Sequence, residues 1–168
     1  MPLGPGAPCR GFRAALEALT VESAFAPSKV VDRNFAQACL AALWLYFDFL
    51  DESHKISQDI DTVEGSYWHG ILHRREPDFD NAKYWFRRVG RHPMFEPLRA
   101  AAAELERTAG ASKQAAFLAQ PAAWDPLAFV DLCDAASAGN ADELLCRKIQ
   151  ECEWKLLFDY CYRRAVGD

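Results

Sequence analysis

The sequence predicts an all-α fold, a single-domain helical bundle of about six to seven helices around a long central helix. Three observations carry this. Apolar residues recur at steps of three and four, as in Phe35, Ala38, Ala42, Leu45 and Phe49, which is the spacing of one buried helical face. No stretch of useful length alternates apolar and polar residues as a half-buried strand would. Pro and Gly fall between the periodic segments, where they punctuate helices. A chain of 168 residues suits one domain with a core of its own.

The elements follow in order. Residues 1–11, rich in Pro and Gly, read as a flexible leader, and 12–168 as the helical domain. Residues 12–19 form a short first helix, and Pro27 marks a break. The longest pattern runs from about 29 to 56. It is apolar almost all round between Ala41 and Phe49 and turns polar after Leu50, as a central helix would. Residues 59–65 read as a connection. A helix over 66–75 stops ahead of Pro77, which disfavours helix in the residue before it. Asp78 or Asp80 can cap the next, 81–89, and Gly90 can close it. Residues 96–108 are Ala-rich and helical by propensity. Residues 110–125, with Gly110 and Pro121, are a weaker stretch. Residues 126–136 are a short helix opened by Pro126, and Gly139-Asn140 breaks it. The last helix runs over 141–164, with Leu145, Ile149, Cys152, Leu156 and Tyr160 as its buried stripe.

Composition narrows the function. Hydrophobic residues make up 51% and charged residues 26%, which excludes disorder along the whole chain. A net charge of −5 disfavours a whole-surface grip on nucleic acid or an anionic membrane and leaves a local basic patch open. The longest apolar stretch, 38–47, ends at Asp48 and is far short of a membrane span. The first residues lack an apolar signal core. None of the six cysteines falls in a C-x-x-C pair, so zinc-thiolate and thioredoxin motifs are unsupported. Reduced thiols in apolar helices and a cytoplasmic setting are the expectation.

The chemically rich residues crowd into 48–93. All four histidines, His54, His69, His73 and His92, lie there. His69 and His73 are four apart on one helix face and could share a metal ion. Gly70 stands where a zinc protease places glutamate, so the motif is a different one. His54 is the first choice for a third ligand, with Glu64, Glu52 and His92 as alternatives. Imidazole suits several divalent metals, zinc or iron among them. Proton transfer by His54, His69 and His73 is a further, lesser option, with Glu64 and Glu76 as acid/base groups or partners of the ligands. The plain alternative makes His69 and His73 hydrogen-bonded residues of a bundle core beside Trp68.

A second constellation is cationic. Arg74 and Arg75 close one helix, and Lys83, Arg87, Arg88 and Arg91 follow on the next. Guanidinium groups suit phosphate or carboxylate, and Tyr84 and Trp85 can stack on a planar ligand. The first turn of the helix at Asn81 can add backbone donors. Glu76, Asp78 and Asp80 lie between these cations and can neutralise them as inter-helix ion pairs. In EGSYWH, 64–69, Gly65 can open the chain close to the helix start, and Tyr67 and Trp68 can line a pocket or pack in the core. Asp51, His54 and Gln58 share a face.

The stretch GSYWHGILHRREPDFDNAKYWFRRVGRHPMF, 65–95, with the preceding DESHKISQDI, 51–60, resembles the signature of an uncharacterised family of helical proteins. The resemblance covers about a quarter of the chain and implies membership without an activity. No Walker loop, Rossmann glycine loop, kinase motif or serine nucleophile elbow is present. The leading expectation is a protein or enzyme that binds a small anionic molecule in a pocket between the long helix and the two short ones. His54, His69 and His73 would serve a metal, and Trp68, Arg74, Arg75, Asn81, Lys83, Tyr84, Arg87 and Arg88 the ligand. The alternatives are a non-catalytic interaction module using the Arg/Trp surface and a purely structural polar core.

Overall fold

The computed structural model describes residues 1–109, 112–120, 123–136 and 142–168. Among these the chain forms nine α-helices and no strand: α1 Arg13–Glu17, α2 Val21–Phe25, α3 Arg33–Tyr46, α4 Leu50–Ser57, α5 Val63–Arg75, α6 Phe79–Val89, α7 Phe95–Ala109, α8 Pro126–Ala136 and α9 Glu143–Val166. Short 3-10 segments precede α1 at Arg10–Phe12 and α8 at Lys113–Ala119. The all-α expectation is met. None of these helices is long and apolar enough to cross a membrane.

The long helix expected over 29–56 is two helices. Its start is set at Asp32, whose carboxylate accepts from the backbone N–H groups of Asn34 (2.9 Å) and Phe35 (3.4 Å), so residues 29–32 lie outside it. It stops at Tyr46, and Asp48 takes a left-handed conformation, φ 65°, which Asp tolerates better than most residues. That turn aims the Asp48 carboxylate at Arg75 of α5, with which it forms an ion pair. The chain re-enters helix at Leu50, and the Ser53 hydroxyl donates to the Ala41 carbonyl at 2.9 Å, tying α4 back to α3.

The element buried around its whole circumference is α5: every residue from Glu64 to Arg75 is buried. It packs against α3, α4 and α6, while α9 lies on α3 and α7, and α8 on α6. It starts three residues before the expected Ser66, because Thr62 caps it by accepting from the Gly65 N–H at 3.1 Å. Gly65 is required there: an added Cβ would overlap the Ile60 carbonyl oxygen. Asp78, one of the two expected caps, accepts from the Asn81 N–H at 3.3 Å. Gly90, at φ 63°, closes α6. The helix α2 was not legible in the periodicity; Thr20 and Ser23 build its start as a reciprocal cap.

Two apolar clusters fill the bundle. One gathers Cys39, Leu45, Trp68, Ile71 and Phe86 around α5; the other gathers Leu98, Phe129, Cys146 and Ile149 between α7, α8 and α9. Part of the expected leader rests on α9. Leu3 is buried in the second cluster, and the Gln150 side chain donates to the Pro2 carbonyl at 2.7 Å. All six cysteines are free thiols, and Cys39, Cys133, Cys146 and Cys161 are buried. Burial pushes the Cys39 thiol up to about 12. The expected breaks at Gly110, Pro121 and Gly139-Asn140, and the start of the last helix at Ala141, lie outside the described residues.

Candidate metal centre

The junction of α4 and α5 brings three imidazoles together. A short connection, 58–62, lets the two helices pack side by side. His54 faces inward from the second turn of α4. His69 and His73, one turn apart, face it from α5. One ligand nitrogen from each lies within 4.8 Å of the other two. Nε2 of His54 and Nε2 of His69 are 3.0 Å apart. The His69 and His73 rings stack at 4.9 Å, and the His54 ring stands nearly perpendicular to both.

The surroundings are asymmetric. On its outer side His69 carries Trp85 of α6, parallel to the imidazole at 4.0 Å between centroids. Nδ1 of His69 is buried and has no hydrogen-bond partner. Nδ1 of His73 lies 2.9 Å from Glu76 Oε2 and 4.0 Å from Asp78 Oδ2. The side-chain nitrogen of Asn81 is 3.1 Å from Nε2 and 3.4 Å from Nδ1 of His73. His54, only half buried, opens on a cleft of about 330 Å3 lined by Asp51, His54, Lys55 and Glu76.

Burial, then the neighbouring His54 and His73, push the His69 imidazole down to about 3. Burial also lowers His73, against the upward pull of Glu76. Both rings are therefore neutral at neutral pH and keep a lone pair, the form in which imidazole binds a metal. Two nitrogens on one tetrahedral zinc stand roughly 3.3–3.4 Å apart, given Zn–N bonds of about 2.0–2.1 Å. The His54–His69 separation is close to that value.

The structure gathers His54, His69, His73, Glu76 and Asn81 at one place and puts the other sequence candidates elsewhere. Glu64 lies 3.6 Å from Nε2 of His92, in a separate buried cluster with Tyr67 and Tyr160. Trp68 is fully buried in the apolar core. Arg74 donates from Nε to Gln150 at 3.2 Å, pairs with Glu153 and lies over the Phe129 ring at 4.7 Å. Arg75 donates to the Leu45 carbonyl at 2.7 Å and pairs with Asp48. Neither guanidinium has any exposed side-chain surface; each serves an ion pair, but with the distant Glu153 and Asp48 and not with the flanking Glu76, Asp78 or Asp80. Lys83 reaches Asp131 of α8. Arg88 lies over Trp85 at 5.2 Å, and Tyr84 and Arg87 are exposed on α6.

Sequence reasoning did not single out Lys55 for the site. Its signal was present: Asp51 and Lys55 stand one turn apart on either side of His54, as rim positions on the helix that carries it. Compared with protein families, curated proteins and solved structures, the chain matches none.

Proposed function

We propose that the protein is metal-dependent. A divalent transition-metal ion, zinc or iron, binds His54, His69 and His73 and presents an open side to the cleft, where it takes a small anionic molecule. One observation carries this reading: three imidazoles from two helices converge within 4.8 Å of one another, and one of them, His54, lines a solvent-open cleft. Three protein ligands with an open position are the arrangement of catalytic sites, whereas structural zinc sites are closed by four. Side-chain rotations that move the nitrogens by on the order of an ångström bring them to bonding separations.

The buried, neutral imidazoles support metal binding, since no proton must be expelled from His69 or His73 at neutral pH. A bound ion would lower the pKa of a water on its open side toward about 7 and polarise an oxyanion. Metal-assisted hydrolysis is the reaction class this supports. Lys55 is the cation on the rim that would attract the anion, and Asp51 the rim carboxylate available to take a proton. The buried free thiols support the cytoplasmic setting.

A second reading is favoured by the same 3.0 Å contact. Two imidazoles at that distance, one N–H donating to the other ring's lone pair, form an ordinary N–H···N hydrogen bond, and the cluster would then be a polar core without an ion. Cobalt(II) separates the two. Metal-free protein titrated with cobalt(II) develops a d–d absorption band if the imidazoles bind it, and azide then shifts the band if a position is open. No band means the hydrogen-bonded core. A band indifferent to azide means a closed site and removes the anionic ligand.

A further inference from the structure

We propose that Glu76 is a positioning residue of this site: it holds His73 as the Nδ1–H tautomer and so presents the Nε2 lone pair to His54 and His69. The purpose of this device rests on the metal reading; its geometry stands without it.

The contact between Glu76 and His73 defines the tautomer. Glu76 Oε2 lies 2.9 Å from Nδ1. An ionised carboxylate only accepts, so the hydrogen of that contact belongs to Nδ1. The side-chain nitrogen of Asn81 lies 3.1 Å from Nε2 and 3.4 Å from Nδ1, against both ring nitrogens at once, so it selects neither, and the Glu76 contact alone defines the tautomer. The next carboxylate, Asp78 Oδ2, is 4.0 Å from Nδ1, too far to replace Glu76 as acceptor.

The backbone explains why Glu76 stays there. It is the last residue of α5's cap, and its N–H donates to the carbonyls of Leu72 (3.0 Å) and His73 (3.1 Å). The Asp78 N–H also donates to the His73 carbonyl, at 2.9 Å. The turn at 76–78 thus wraps around the residue whose ring Glu76 holds. On the opposite side the His54 ring faces His73 at 5.5 Å. With its tautomer fixed, His73 needs no rearrangement of its proton to become a ligand. The carboxylate also makes the imidazole a stronger donor, as outer carboxylates do for metal-bound histidines.

The test pairs nuclear magnetic resonance with metal binding. Long-range 15N–1H spectra of the metal-free protein report which ring nitrogen of His73 carries hydrogen. Wild type is expected to show Nδ1–H, Glu76→Ala a mixture or the Nε2–H form, and the near-isosteric Glu76→Gln an intermediate state. Glu76→Gln also covers the case in which Glu76→Ala fails to fold. Zinc affinity should fall by about 10–100-fold in Glu76→Ala and less in Glu76→Gln. Nε2–H in wild type overturns the proposal, and so does a Glu76→Ala protein with unchanged tautomer and unchanged zinc affinity. A wild type that binds no zinc but shows Nδ1–H lost in Glu76→Ala upholds Glu76 as the positioning residue and defeats the metal reading alone.

Discussion

Nε2 of His54 and Nε2 of His69 lie 3.0 Å apart, although fifteen positions and a change of helix separate them. The contact joins α4 to the buried helix α5 beside the cleft that Asp51, His54, Lys55 and Glu76 line. Removing either ring therefore acts on the site and on the packing of two helices together.

Acid should destabilise the protein through His69. Its folded-state imidazole is pushed from 6.5 to about 3, so between those values the unfolded chain binds a proton that the folded one refuses. The resulting stability is fully present above about pH 6.5 and is lost as pH falls toward 3, by no more than about 1.4 kcal/mol per pH unit. His73 is shifted in the same direction. Urea unfolding of metal-free wild type and His69→Gln between pH 7.5 and 4 should give a shallower dependence in the variant. Parallel curves would contradict the burial of a neutral His69.

Arg74 and Arg87 should differ sharply. Arg74 pairs with Glu153 where both side chains are fully buried, and truncating one partner of such a pair costs about 3–5 kcal/mol. Arg87 is exposed on α6, and its replacement by Ala should stay within about 0.5 kcal/mol. Denaturant midpoints of the two variants measure this. Equal effects would mean that Arg74 is not the core residue described here.

Trp85 should report on the site. Its ring is stacked on His69 at 4.0 Å, so a paramagnetic ion on that imidazole should quench its emission. Copper(II) added to wild type should reduce tryptophan fluorescence, and Trp85→Phe should remove most of the change. Quenching that persists undiminished in Trp85→Phe would place the ion elsewhere.

The sequence reading succeeded where the information is local. Pro126 and the apolar positions after it mark α8 from first to last residue. The i,i+4 spacing of His69 and His73 put both rings on one face, and the polar end of the 29–56 pattern made His54 the preferred third partner. It failed where a distant residue decides. The run from Ala41 to Phe49 is apolar on every side and offers no sign of a break; the break follows from Asp48 turning to meet Arg75, 27 positions later. The arginines misled for the same reason. Arg74 and Arg75 are indistinguishable by type from ligand-binding cations, and only their fully buried side chains and the partners Glu153 and Asp48 give them a structural role. Glu64 was attractive by its nearness to His69 in sequence, yet it sits in the first turn of α5 and meets His92 instead.

The most direct test of the central claim is the metal content of protein purified without a His tag or chelator, beside a His69→Ala/His73→Ala double variant whose helical circular dichroism is recorded. Near-stoichiometric zinc or iron is expected in wild type and is lost in the folded variant. Zinc at about 100 times its dissociation constant should stabilise metal-free wild type by about 2.7 kcal/mol and leave the variant unmoved. Metal-free wild type that gains no stability from added zinc or iron, or equal metal in the variant, would contradict that claim.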